Sequence, residues 1–139
     1  AARGRSGVDV LDPSLAPRNG PYDQYHSGDI DAYHVSYFRR MWPTERRFHT
    51  CNLRKSRGFH LVSQGADPLP DVADVDQPYR VRLTLDRGRV TFGIDGLTVL
   101  DWTDDGEHGP PLWEGRIGFR QMAPLIAEYS DLSVTALPA

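Results

Sequence analysis

The stretch "YRVRLTLDRGRVTFGIDGLTVLDW", Tyr79 to Trp102, leaves this chain few ways to fold. Val81, Leu83 and Leu85 alternate with Arg82, Thr84 and Asp86, the period of a strand with one apolar and one wet face. On a helix, successive members of that apolar set would point to opposite sides. Asp86-Arg87-Gly88 reverses the chain, and Asp95-Gly96 reverses it again with the residue pair of a type I′ turn. The stretch therefore predicts a three-stranded antiparallel meander over 79–86, 89–94 and 97–102.

Similar alternation recurs at 33–40, 47–54, 59–64, 115–121 and 128–136, and helical periodicity is absent nearly everywhere. Pro68, Pro70 and Pro78 bound one loop; Gly106, Gly109, Pro110 and Pro111 bound another. Eight short strands with turn signals between them predict an all-β fold, an antiparallel sandwich or jelly roll. The length of 139 residues suits one domain with a real core. Residues 1–32 fit less well, being rich in Gly, Pro and Asp with little alternation. All-β sandwiches often run to ~200–250 residues. The sandwich is thus expected to be incomplete on its N-terminal side, with 1–32 irregular and a second polypeptide or protomer supplying the missing strands.

Composition excludes several classes. No apolar run approaches the ~20 residues of a membrane span, and the opening "AARGRSGVDV" lacks the apolar core of a signal peptide. The single cysteine, Cys51, excludes an intrachain disulfide and suits a reducing compartment, so a cytoplasmic location is expected. A net charge of −3 argues against a general nucleic-acid binder. The charge is nevertheless uneven. Arg39 to Arg57 holds seven Lys/Arg against one acid, Glu45, whereas Gly65 to Gly109 holds ten Asp/Glu against four arginines. A basic strip on an acidic protein points to an anionic partner, or more plainly to a solvated face.

"LDPSLAPRNGPYDQYHSGDIDAYHVSYFRR", "ERRFHTCNLRKSRGFHLVSQGADPLP" and "GRIGFRQMAPLIAEYSDLSV" resemble, in that order, a bacterial family of unknown function, DUF1961. The resemblance covers nearly the whole chain. It implies a concanavalin A-like jelly roll of which this chain matches the C-terminal portion. One member is encoded among rhamnogalacturonan-utilisation genes, which implies a pectin-derived ligand. The resemblance brings no catalytic residues, so chemistry has to come from the side chains themselves.

Strand alternation places His34 with Ser36, and Asn52 with Arg54. It likewise places His60 with Gln64, and Arg116 with Arg120, while Tyr37 and Arg39 take the other face of their strand. Arginine forks match carboxylates and aromatic faces match sugar rings, so a uronate-containing oligosaccharide is the ligand this set suits. The expected binding residues are His34, Arg39, Asn52, Arg54, Gln64 and Arg120. β-Elimination would need a base such as Tyr37, His49 or His60 near the C5 proton. Hydrolysis would need two facing carboxyls, and Asp29 and Asp31 in "HSGDIDAYH" are spaced to share a face. That stretch lacks the glutamates of the E-x-D-x-E signature, and Gly28 before Asp29 is also a turn signal. Each histidine has the plainer reading of a half-buried strand residue. One cysteine and scattered histidines do not make a zinc site. The acidic segments "PDVADVD" and "DWTDDGEHG" could offer oxygens to calcium but lack EF-hand spacing, so no cofactor is expected. Three classes stay open: a non-catalytic carbohydrate-binding module, an enzyme cleaving acidic oligosaccharides, and a structural partner.

Overall fold

The computed structural model of the chain describes residues 1–38, 48–71, 74, 77–122 and 125–139. Seven strands, β1 (Ala2–Gly4), β2 (Ile30–Ser36), β3 (Thr50–Ser56), β4 (His60–Ala66), β5 (Val81–Asp86), β6 (Arg89–Ile94) and β7 (Leu97–Thr103), form two antiparallel sheets. One sheet runs β1-β2-β3-β4 and the other β5-β6-β7. A 3-10 turn (Arg5–Gly7) follows β1, and a short helix, α1 (Asp23–His26), precedes β2.

The meander forms where alternation predicts it. Asp95 and Gly96 take φ of 48° and 82°, both in the left-handed region that a type I′ turn requires. Val81, Leu83 and Leu85 stand opposite Ile94, Phe92 and Val90, so one apolar face runs across the strands. Its members Val90, Phe92 and Ile94, with Leu85, pack on Tyr33, Cys51 and Leu53 of the other sheet, which makes a sandwich. Burying Phe92 fully is worth roughly 1.5–3 kcal/mol relative to leaving it exposed. Cys51 is a wholly buried core residue acting as a small hydrophobe. The sheets also approach at their edges. A Cβ on Gly65 of β4 would stand 2.3 Å from the Val99 carbonyl oxygen of β7, so only glycine fits there.

Between the sheets lies a polar network that alternation alone does not reveal. Lys55 of β3 points inward with Cys51 and Leu53, and its ammonium meets Asp104 Oδ2 at 2.6 Å. Both side chains are nearly inaccessible, at 3% and 1% exposed. The Tyr33 hydroxyl donates to the same carboxylate at 2.6 Å and accepts from the Leu112 N–H at 2.8 Å. Gly106 N–H donates to Asp104 Oδ1 at 2.9 Å, and Lys55 also donates to the Gly109 carbonyl. Burial works to raise the Asp104 carboxyl, but the bonds from Lys55, Tyr33 and Gly106 outweigh it and hold it below its ordinary value. Burial and the neighbouring Asp104 push the Tyr33 hydroxyl well above the usual tyrosine range.

The N-terminal segment is more ordered than expected. Ala2–Gly4 is a strand paired with β2, with Arg3 opposite Asp31. The strands expected at 115–121 and 128–136 do not form among the described residues. Arg116 makes a lone bridge to Ala2, and the rest runs without a ladder. The physical reason is that a strand needs a neighbour to pair with, and beyond the Arg116–Ala2 bridge to β1 no strand pairs with these stretches among the described residues.

Lys55→Met should destabilise the chain by about 3–5 kcal/mol in urea unfolding, because it leaves Asp104 buried without its counter-charge. Lys55→Met with Asp104→Leu should recover much of that loss, since an apolar pair leaves no orphaned charge. Equal losses in the single and double variants would refute this account.

Candidate functional site

The outer face of the four-stranded sheet, turned away from the core, is set by the inward pointing of Cys51, Leu53 and Lys55. Their neighbours Asn52 and Arg54 then take the opposite face, where Asn52 is covered, at 2% exposed, and Arg54 is half-buried. Across the ladder, Ser36 is opposite Asn52 and His34 is opposite Arg54. Gln64 is opposite Asn52 and donates from Nε2 to Asn52 Oδ1 at 2.8 Å. Four of the expected binding residues, His34, Asn52, Arg54 and Gln64, therefore share one face of three adjacent strands. Arg39 and the start of the strand expected at 47–54 lie outside the described residues.

His60 does not join them. A β-bulge shifts the register so that Leu53 faces Ser63 but Arg54 faces Leu61. The extra residue, Val62, reverses the alternation in β4 and puts His60 beside Lys55 on the inner side. There its ring stacks on His108 at 3.9 Å with an interplanar angle of 6°.

The other expected catalytic residues also fall elsewhere. Tyr37 packs against Phe92 in the core at 5.2 Å, and burial followed by its bond to Tyr129 pushes its hydroxyl well above the tyrosine range. Such a hydroxyl is a poor base at neutral pH. Asp29 Oδ2 accepts from the Ala16 N–H at 2.7 Å, which makes it a loop anchor. Asp31 shares the inward parity of Tyr33, opposite to His34. His49 precedes β3, exposed, its carbonyl accepting from the Asp67 N–H at 2.9 Å. No two of the five meet at Arg54.

What gathers at Arg54 is aromatic. Its guanidinium lies 4.0 Å from the Phe59 ring centre. Phe59 contacts Tyr22 at 5.6 Å and His26 at 4.7 Å, and Tyr22 meets His26 edge-on at 4.8 Å. Arg120 spans Tyr22 and Tyr25 at 4.6 and 4.9 Å and donates to the Gly20 carbonyl at 3.1 Å. Its arrival from a distant extended segment confirms no strand alternation; Arg116, its expected companion, is instead spent on Asp9 at 2.7 Å. The hairpin tip is tied to α1 by Gly58 N–H donating to the His26 carbonyl at 2.6 Å. Neither Arg54 nor Arg120 is paired with a carboxylate among the described residues. Phe59 and His26 escape sequence reading. The only signal for Phe59 is an aromatic at a turn otherwise made of cations and glycine, "KSRGF".

His34 lies at the base of this patch. Its Nε2 is buried with no hydrogen-bond partner among the described residues. Burial lowers its pKa to about 4, helped by the positive charges of the Ala1 amino group, His26 and Arg120 and opposed by the Tyr25 carbonyl.

No group of three or more His, Cys, Asp or Glu able to hold a metal ion occurs among the described residues. The geometry is that of a β-sandwich with a cationic, aromatic patch beside the outer face of one sheet. Comparison with known proteins extends this. Residues 1–134 match the family model described as a domain of unknown function (DUF1961), and the chain belongs to that family. It is 59% identical over 135 residues to the uncharacterized protein YesU of Bacillus subtilis (strain 168). That alignment covers 96% of this chain and 61% of YesU. A crystal structure of a Bacillus subtilis protein of unknown function with a galectin-like fold superposes with a TM-score of 0.73 at 57% identity. The superposition covers 81% of this chain and 51% of that one. The chain thus spans little more than half the length of the relatives it matches.

Between pH 6.5 and about 4 the unfolded chain takes up a proton at His34 that the folded chain does not. Stability should fall as pH falls through that window, by on the order of 1 kcal/mol per pH unit. Asp104 contributes only lower, as pH drops through the carboxylate range toward its depressed value. The Ala1 amino group, whose pKa burial also lowers, adds to the loss with the same sign; urea midpoints at pH 7 and pH 5 should therefore differ, and His34→Gln should reduce the difference.

Proposed function

We propose that this chain provides a carbohydrate-binding surface for acidic oligosaccharides, of the uronate-bearing kind found in pectin and rhamnogalacturonan. The observation that carries the reading is the pair of arginines, Arg54 and Arg120, each held on aromatic faces with no carboxylate partner among the described residues. A guanidinium left without an internal counter-charge is available to a ligand carboxylate, and its fork suits a bidentate contact. Phe59, 47% exposed, offers an apolar face for a sugar ring beside Arg54. The galectin-like fold of the structural relative is compatible with such a role, although fold alone does not determine function.

Binding without chemistry is favoured over cleavage by the placement of the titratable groups. Asp29 is engaged as a loop anchor, Tyr37 is in the core, and His60 is on the inner side. His34, the imidazole nearest the patch, has a pKa of about 4 and is a weak base at neutral pH.

Arg54→Ala should weaken binding of oligogalacturonate or rhamnogalacturonan fragments by about 1.5–3 kcal/mol, the range for a charge-assisted hydrogen bond. Carboxyl-reduced versions of the same sugars should lose much less. Isothermal titration with both ligand sets reads the difference; equal losses would place the anion elsewhere. The same titrations, followed by absorbance near 235 nm and a reducing-end assay, would expose cleavage, and product formation would replace the binding-only reading.

A further inference from the structure

One ring nitrogen of His34 is committed and the other is idle. The Tyr25 carbonyl accepts a hydrogen bond from the imidazole, while Nε2 is buried with no hydrogen-bond partner among the described residues. The bond to Tyr25 therefore comes from Nδ1, which fixes one neutral tautomer and leaves Nε2 a bare acceptor. The charged and titratable groups around this ring are all cations or bases. From β3, Arg54 stands directly opposite His34 on the same face. From α1 comes His26, from the segment after β7 comes Arg120, and from the start of the chain comes the Ala1 amino group. The carboxylates of the same stretch are directed elsewhere. Asp29 accepts from the Ala16 N–H, and Asp31 has the opposite parity in β2. Burial and this one-signed surrounding keep the ring neutral, with a pKa of about 4. What the site lacks is a negative charge.

We propose that an acidic ligand binding at this patch brings a proton with it, taken up from solvent at His34 Nε2. This rests on the reading of Arg54 and Arg120 as the anion contacts. Both flank His34: Arg54 through the β2–β3 register, and Arg120 through Tyr25, whose ring lies 4.9 Å from the guanidinium and whose carbonyl holds Nδ1. A carboxylate drawn to these two groups supplies the counter-charge that an imidazolium does not find in the free chain. An opposite charge within ~4–6 Å favours the charged form of such a group by roughly 1–3 pH units. Between the free value of about 4 and the raised one, the bound chain holds a proton that the free chain lacks. Affinity for the acidic ligand therefore rises as pH falls through that window, the opposite direction to the stability of the free chain. His34 is then the residue that makes the patch pH-responsive.

The test is isothermal titration of oligogalacturonate at pH 5 in buffers of different ionisation enthalpy, which reads proton uptake directly. The expected uptake is roughly 0.4–0.9 proton per bound ligand, with Kd tightening roughly two- to twentyfold from pH 6.5 to pH 5. His34→Gln should still bind, with uptake reduced by at least half. Carboxyl-reduced ligand should cause no uptake at His34. Imidazole C–H resonances of the unaltered chain give a second reading that does not depend on the variant folding. The His34 midpoint should rise by about one pH unit or more at saturating oligogalacturonate. Binding without proton uptake would overturn the inference and leave the anion reading standing. So would uptake undiminished in His34→Gln, or a His34 resonance whose midpoint the ligand does not move. Absence of any binding would overturn both this inference and the reading beneath it.

Discussion

The buried contact between Lys55 and Asp104 governs how the two sheets sit together. Taking an ammonium and a carboxylate out of water costs several kcal/mol per ion, and only close geometry with further hydrogen bonds offsets it. Here the further bonds come from Tyr33 of β2 and from Gly106 and the Gly109 carbonyl in the loop after β7. An apolar interface tolerates sliding, because dispersion is not directional, whereas this network has one satisfied arrangement. The loop at 106–112 is fixed by the same groups, since Leu112 N–H ends on the Tyr33 hydroxyl.

Once Lys55 is held inward, the rest of β3 has no freedom. Arg54 and the covered Asn52 take the opposite face, and β2 in register brings His34 and Ser36 beside them. The bulge at Val62 then divides β4, keeping Gln64 on the outer face and sending His60 to the inner one. α1 and the hairpin tip close over this end through the Gly58–His26 bond. The cationic, aromatic patch is thus assembled from four separate parts of the chain: 20–26, 54, 59 and 120.

Under the proposed function, a chain of net charge −3 would address an anion through this patch. Local field, not total charge, sets what binds at contact distance, because screening removes most of the rest beyond about 8–10 Å. The acidic residues are spent elsewhere, as Asp101 is on Arg89 at 2.7 Å and Asp9 is on Arg116 at 2.7 Å. Asp86 likewise faces Arg87 at 3.2 Å. Arg54 and Arg120 sit on rings instead, which hold a guanidinium in place without cancelling its charge.

Period-two alternation and the turn residues determined the all-β class, the β5–β7 meander and the shared face of Asn52 and Arg54, because those follow from local backbone geometry. The same local rule failed at His60, where one inserted residue reverses the face, and a bulge leaves no mark in the alternation itself. It failed again over 115–121 and 128–136, since alternation gives a segment the capacity to be a strand while pairing needs a neighbour. Tyr37 and Asp29 look chemically suited on paper, yet packing against Phe92 and a bond to the Ala16 N–H commit them to structure. Lys55 and Asp104 read as surface charges in the sequence, forty-nine positions apart. Only the closing of one sheet on the other made them a buried pair, because desolvation and partner geometry belong to the folded state and to no local stretch of chain.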